Sequence, residues 1–237
     1  MGGATRALGA VRHLANVAYV PRVRRAAVLR LRRAPNCFQP HNDTAPDRYP
    51  ETFALIRDLL ADRDQLRILS FGCSTGDEVF TLRTYLPTAE ITGLDISAGN
   101  IRDCRRRLRR SGDALVSFRR ARDASGEPTG HYDAILAMAV FRHGDLAIGH
   151  PGSCAGSVTF AAFERTIAGL ARTLRSGGYL VIDHSNFAFA DTATGGAFEV
   201  VAVRPVTDAD RAGTPQYGPD DRVVAEGAQR EIVFRKR

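Results

Sequence analysis

Residues 66–80 read Leu66-Arg67-Ile68-Leu69-Ser70-Phe71-Gly72-Cys73-Ser74-Thr75-Gly76-Asp77-Glu78-Val79-Phe80, and this stretch decides the fold. The apolar run Ile68, Leu69, Phe71 has β character and leads into small residues between Gly72 and Gly76. Asp77 and Glu78 then open a helix. A strand, a tight small-residue turn and a helix N-terminus make a cradle for a nucleotide-type ligand. Glycines at 72 and 76 allow close backbone approach, because no Cβ intervenes and a positive φ is permitted. A dinucleotide site needs G-x-G-x-x-G and aims its helix N-terminus at a pyrophosphate. Here the spacing is Gly72-x-x-x-Gly76 and two carboxylates follow at once. They repel a pyrophosphate and suit a ligand carrying positive charge, such as an amino group or a sulfonium. An ordinary β-to-α turn whose acids favour the helix dipole has the same local pattern, so the next segment must decide.

Ala89-Glu-Ile-Thr-Gly-Leu-Asp95 is a short apolar run that ends in a carboxylate 19 residues past Gly76. An acid at a strand end about 20 residues on is where such folds bind a ribose diol. Ser97 is placed to cap the next helix, and Ile101, Cys104 and Leu108 supply that helix with an apolar stripe.

With these residues the chain resembles the class I S-adenosylmethionine-dependent methyltransferases. Phe71-Gly-Cys-Ser-Thr-Gly-Asp-Glu-Val-Phe-Thr-Leu82 is most similar to the cofactor motif of chemotaxis-receptor (CheR-type) methyltransferases, in which a Cys-Ser-Thr-Gly run precedes acids and an aromatic. The resemblance implies an α/β fold: a Rossmann-like, doubly wound sheet of seven strands with an antiparallel final hairpin, plus a basic N-terminal extension that is helical or disordered. It implies S-adenosyl-L-methionine as the cofactor. Gly72, Cys73, Ser74 and Gly76 would line the methionine moiety and Glu78 would meet its ammonium. Asp95 would take the ribose hydroxyls, with Ile96 against the adenine. Asp123, past the third strand, would meet the adenine amino group, and Met138, near the end of the fourth strand, joins the cofactor-binding set. After that strand the chemotaxis enzymes carry an Arg-Asn and a Tyr-Phe pair, whereas this chain has Ala139-Val-Phe-Arg-His143. Methylation of a chemoreceptor glutamate is therefore not expected.

The rest of the chain reads along the same lines. Pro50 starts a helix with Phe53, Ile56, Leu59 and Leu60 on one face, which puts 42–49 over the expected cleft. Tyr132–Val140 is a buried parallel strand by its apolar run. Gly144–Ser157 is a glycine-rich loop at that strand's C-terminal end, where lids are often built. Phe160, Phe163, Ile167, Leu170 and Leu174 mark an amphipathic helix that Arg175–Gly178 would end, with Tyr179–Asp183 as the fifth strand. Phe198–Val203 and Glu231–Lys236 would close the sheet. The domains are expected at 1–40 and 41–237.

The net charge is +7 over 237 residues. Residues 1–42 hold eight arginines and no acid, so the remainder is close to neutral. That basic arm reads as a solvated segment, as a contact for nucleic acid or another acidic surface through residues 1–35, or as a piece packed on its own domain or on a second subunit. Four scattered cysteines without a C-x-x-C argue against a disulfide frame or a metal site and favour the cytoplasm. No run is long and apolar enough for a transmembrane segment.

Oxygen and nitrogen methyl acceptors often need a proton removed, and a histidine does that near neutral pH. His143 is the leading base candidate, followed by His184. The expected activity is methyl transfer to an O or N acceptor on a small molecule. RNA or protein methylation docked through the arginine arm, or a non-catalytic cofactor-binding role, are the competing readings.

Overall fold

The computed structural model describes residues 20–31, 37–41, 44–224 and 229–237. Within the expected basic extension a helix, α1, covers Pro21–Leu31; residues 1–19 and 32–36 lie outside the described residues. Helix α2 covers Pro50–Leu59, with proline in its first turn and Thr52, Phe53 and Ile56 buried. β1 (Arg67–Phe71) runs into α3 (Asp77–Tyr85), then β2 (Glu90–Asp95), α4 (Ala98–Ser111) and β3 (Val116–Arg120). β4 (Tyr132–Met138), α5 (Phe160–Thr173) and β5 (Leu174–Asp183) follow. β6 (Phe198–Pro205), a short α6 (Asp208–Gly213) and β7 (Gln229–Lys236) complete the chain.

The seven strands form one sheet in the order β3-β2-β1-β4-β5-β7-β6. β1 to β5 are parallel, and β7 runs antiparallel to both β5 and β6. This is the expected Rossmann-like, doubly wound sheet with an antiparallel final hairpin. One apolar layer includes Phe53, Ile56, Ile68, Val79, Leu82 and Ile101; the other includes Leu69, Phe141, Phe163, Ile167, Leu180 and Phe234. Helices on both faces explain why β4 is buried at every residue. The order reverses between β1 and β4, so the C-terminal ends of these two strands open a crevice.

The boundary after α5 differs from the expectation. The helix stops at Thr173 and β5 begins at Leu174, so Arg175–Gly178 belong to the strand. Leu174 pairs with Tyr132, and the register then shifts before Tyr179 pairs with Ala134. Gly177 takes a φ of +72° in that bulge. Pairing with β4 overrides the local punctuation of two glycines.

Candidate functional site

The loop after β1 owes its shape to its glycines. Gly72 has φ +78°, and a Cβ there would lie 2.5 Å from Val140 Cγ2, across the crevice at the end of β4. Gly72 and Cys73 donate backbone N–H to Leu94 O at 2.8 and 2.9 Å, which ties the loop to β2. Gly76 caps α3 in the left-handed conformation, packed among Cys104, Phe118 and Phe80. It shapes the loop and does not line the crevice. Ser74, Ala139 and His184 are non-glycine residues with φ near +50°. They follow β1, β4 and β5, the three adjacent strands whose ends meet here, and such strained backbone collects at functional sites.

Two lobes of one cleft share Gly72, Ser74, Arg48 and Met138. In the first lobe, Asp95, Ile96, Ala121 and Arg122 stand opposite Phe38 and His41. Asp95 accepts from Ser74 N (2.9 Å) on one oxygen, and from Ser97 N (2.7 Å) and Asn100 Nδ2 (3.1 Å) on the other. Burial still pushes its carboxyl up to about 6, because those three bonds and the nearby Arg25 only partly offset the lost water.

The second lobe holds Glu78, Cys73, Thr44, Ala45, Tyr49 and Phe53. Glu78 accepts a hydrogen bond from Ser70 Oγ at 2.6 Å, and burial pushes its carboxyl up to about 7. The hydroxyls of Ser74 and Tyr49 are buried without a hydrogen-bond partner among the described residues. Orphaned buried hydroxyls are unusual, and a ligand rich in donors and acceptors would satisfy both. Asp77, the other acid of the motif, is turned away, because Arg107 Nη1 donates to it at 2.6 Å while stacking over Phe80. The Cys73 thiol is buried and held well above its ordinary value, chiefly by desolvation, so it lines the cleft as a small residue and not as a nucleophile.

The polar connector before α2 is the roof. Phe38 packs edge-on against Phe141 at 5.1 Å. Asp47 N donates to Thr81 Oγ1, and Tyr85 OH donates to Asp47 Oδ1, fastening the connector to α3. Tyr49 meets the His184 ring at 5.8 Å. Beyond this pair lies a second cavity of about 340 Å³, walled by Phe187, Phe189, Phe234, Ile232, Gln216 and Arg230, with His184 and Asp183 at its rim. Tyr49 and His184 thus separate the cleft from an aromatic-lined chamber.

The two histidines are placed differently. The His143 backbone N–H donates to Asn186 Oδ1 at 2.7 Å, and its Nδ1 accepts from Asp145 N as the cap of a short 3-10 turn. It lines neither cavity. The His184 ring lies 3.9 Å from Asp183 and 3.6 Å from Asp210. Desolvation lowers its pKa despite those carboxylates, so the ring is neutral at pH 7. Asp123 turns into its own loop to accept from Ser125 N at 2.9 Å and does not line the cleft. Ala121 and Arg122 stand there instead, because Ala121 N donates to Asp95 O and steers the chain past that carboxylate. Sequence reading missed these two. Their only signal was the unusual arginine-rich exit of β3.

Residues 69–180 match a family model described as a methyltransferase domain. An uncharacterized protein of Synechococcus sp. is 35% identical over 98 residues, which are 40% of this chain and 23% of that protein. The chain thus spans less than a quarter of the length of the curated relative it matches. Among solved structures, the YcgJ protein of Bacillus subtilis aligns with a TM-score of 0.51 at 12% identity, over 80% of this chain and 99% of that one, and shares the fold. Phosphoethanolamine N-methyltransferase 2 of Haemonchus contortus, solved with S-adenosyl-L-methionine, aligns with a TM-score of 0.44 at 16% identity, over 60% of this chain and 29% of that one.

Proposed function

We propose that the chain is an S-adenosyl-L-methionine-dependent methyltransferase that methylates an oxygen or nitrogen of a small molecule. The observation that carries this reading is the cleft at the β1/β4 switch point. It joins a buried, cation-seeking Glu78 to a strand-end Asp95, and in its walls the buried hydroxyls of Ser74 and Tyr49 have no hydrogen-bond partner among the described residues. The methyltransferase match over 69–180 supports it.

These residues fit the cofactor. Glu78 would hold its ammonium, Asp95 its ribose hydroxyls, and Ile96 and Met138 the faces of its adenine. Gly72 and Cys73 leave room for the aminoacyl part. When bound, the cofactor supplies an electrophilic methyl on a sulfonium. The chain's own work is then to hold an acceptor in line and to keep water out. The aromatic chamber beyond Tyr49 and His184 is the acceptor site in this reading. Its walls of Phe187, Phe189 and Phe234, with Gln216 and Arg230 as polar groups, have the make-up of a small-molecule pocket. His184, neutral at pH 7, takes the acceptor proton; Asp183 and Asp210 stabilise the imidazolium that forms.

Calorimetric titration with S-adenosylhomocysteine tests the reading. One saturable site is expected, weakened about tenfold or more in Asp95→Ala, which removes two ligand hydrogen bonds. No binding to the unaltered protein, or unchanged binding to Asp95→Ala, overturns it.

Tyr49→Phe separates the hydroxyl from the ring. The ring packs on Phe53 and His184 and is kept. The hydroxyl satisfies nothing within the chain. The variant should melt at or slightly above the parent temperature and bind S-adenosylhomocysteine about two- to tenfold more weakly, the value of one hydrogen bond. A lower melting temperature with unaltered affinity would show that the hydroxyl serves the fold alone.

A further inference from the structure

On the far side of Ile96 from the cleft, four arginines meet. Arg24 and Arg25 of α1, Arg120 at the end of β3 and Arg122 beyond it line a cavity of about 210 Å³ whose apolar floor is Val28, Leu29 and Ile96. Arg25 is committed: it donates to Asn100 Oδ1 and pairs with Asp103 at 2.5 Å, lying over Gly99, where a Cβ would sit 2.6 Å from its Nε. Asp103 also takes Arg106 at 3.0 Å, so its charge is shared between two cations. Arg24, Arg120 and Arg122 have no carboxylate at ion-pair distance among the described residues. Among the described residues Arg120 donates to Ile96 O alone, and Asp123, which accepts from Ser125 N, feels the Arg122 charge without forming an ion pair with it. Three guanidiniums around one concavity repel one another, and a dianion between them removes that cost.

The shape narrows the ligand. Among the described residues no aromatic side chain lines the cavity, so these walls offer no stacking surface of the kind single-stranded nucleic acid uses. Its size suits one or two phosphate groups and a short apolar body. We propose that this cavity binds a small phosphorylated molecule, with a phosphate or diphosphate held by Arg24, Arg120 and Arg122 and its apolar part on Val28, Leu29 and Ile96. The site adjoins the cleft, since Ile96 and Arg122 line both. A chain from Arg25 through Asn100 to Asp95 links the two. The proposal does not depend on the methyltransferase reading.

Calorimetry on the full chain with inorganic pyrophosphate, at a salt concentration of about 0.15 M to screen diffuse attraction, is the test. Saturable binding is expected, and the double variant Arg24→Gln/Arg120→Gln should weaken it about tenfold or more. The same variant should bind S-adenosylhomocysteine within about threefold of the parent, which certifies its fold. No binding of pyrophosphate, equal binding by the double variant, or sulfate binding as tightly as pyrophosphate each overturns the proposal. An oligothymidylate that binds more tightly than pyrophosphate also overturns it, in favour of nucleic-acid docking. Failure of S-adenosylhomocysteine to bind the parent would sink the cofactor reading and leave this one standing.

Discussion

Glu78→Gln is expected to weaken S-adenosylhomocysteine binding by about 10- to 150-fold, the value of a hydrogen bond to a charged partner, while making the unliganded protein more stable. The two effects share one cause. The Glu78 carboxyl faces the cleft with Ser70 Oγ as its hydrogen-bonding partner, and burial raises it from an ordinary 4.5 to about 7. In the unfolded chain the group ionises at its ordinary value. Between 4.5 and 7 the native state therefore binds a proton that the unfolded state has released. Stability of the empty protein falls as pH rises through that window, by up to about 3 kcal/mol at pH 8. Glutamine keeps the shape and still accepts from Ser70, yet carries no charge to desolvate. A gain of about 1–3 kcal/mol at pH 8 is expected, and it should vanish near pH 4.5.

Ligand binding has the opposite sign. An ammonium beside Glu78 favours the carboxylate, so binding lowers the carboxyl's pKa and releases a proton near pH 6. Affinity should be flat above pH 7 and fall up to about tenfold per pH unit below it. Asp95, pushed up to about 6, steepens the fall further down. Titrations of parent and variant between pH 5.5 and 8.5, in buffers of different ionisation enthalpy, check all of this. An unaltered affinity in Glu78→Gln, or an affinity that rises on acidification, removes Glu78 from the cofactor site.

The β1-α3-β2 half of the site was legible because its signals are local. Apolar strand runs, positive-φ glycines, the Ser97 cap and the strand-end acid at Asp95 all act within about 30 residues of one another. Asp77 and Glu78 could not be told apart in the same way. Adjacent on a helix, they point about 100° apart, and the partner that draws Asp77 away is Arg107, 30 residues on. The same long reach hid the fate of the histidines. Both sit at strand ends, but His143 is drawn under the loop by Asn186, 43 residues later, whereas His184 is left at the cleft by a left-handed turn. The arginines at 105–107 and 109–110 carry no local signal of a partner. In the fold Arg105 donates to Phe118 O and Arg107 to Thr75 O, so two of them fasten α4 to the sheet. Pairing of side chains far apart in sequence decided each of these, and composition and period carry no record of it.

The same reasoning makes Arg204→Met the most damaging single change expected away from the cofactor cleft. Asp183 ends β5 and Asp210 sits in α6, and each is only 5% exposed. Arg204, on β6, reaches both. Its Nε meets the Asp183 oxygens at 3.0 and 3.1 Å, and Nη1 and Nη2 meet the Asp210 oxygens at 2.8 and 2.9 Å. Asp210 also accepts from Thr207 N and Oγ1 in the cap of α6. These bonds, Arg204 foremost, hold the Asp210 carboxyl well below the usual carboxylate range. Its contribution to stability is therefore present above the unfolded value and lost only in strong acid. Methionine fills the space of the arginine stem but leaves two buried carboxylates facing each other and His184. Breaking one side of such a network costs about 3–5 kcal/mol, or a melting temperature lower by about 6–20 °C in a chain of this length. The orphaned carboxylates would then hold protons that the unfolded chain releases, so the deficit should narrow as pH falls from 7.5 to 5.5. Urea denaturation at both values measures it. A loss under about 1 kcal/mol, the size of a surface pair, or a deficit that widens in acid would mean that Arg204 does not neutralise this pair. Because neither aspartate touches the first two strands, S-adenosylhomocysteine should still bind within about threefold where the variant is folded. Turnover of the acceptor should collapse, since the backbone that aims His184 hangs on Asp183.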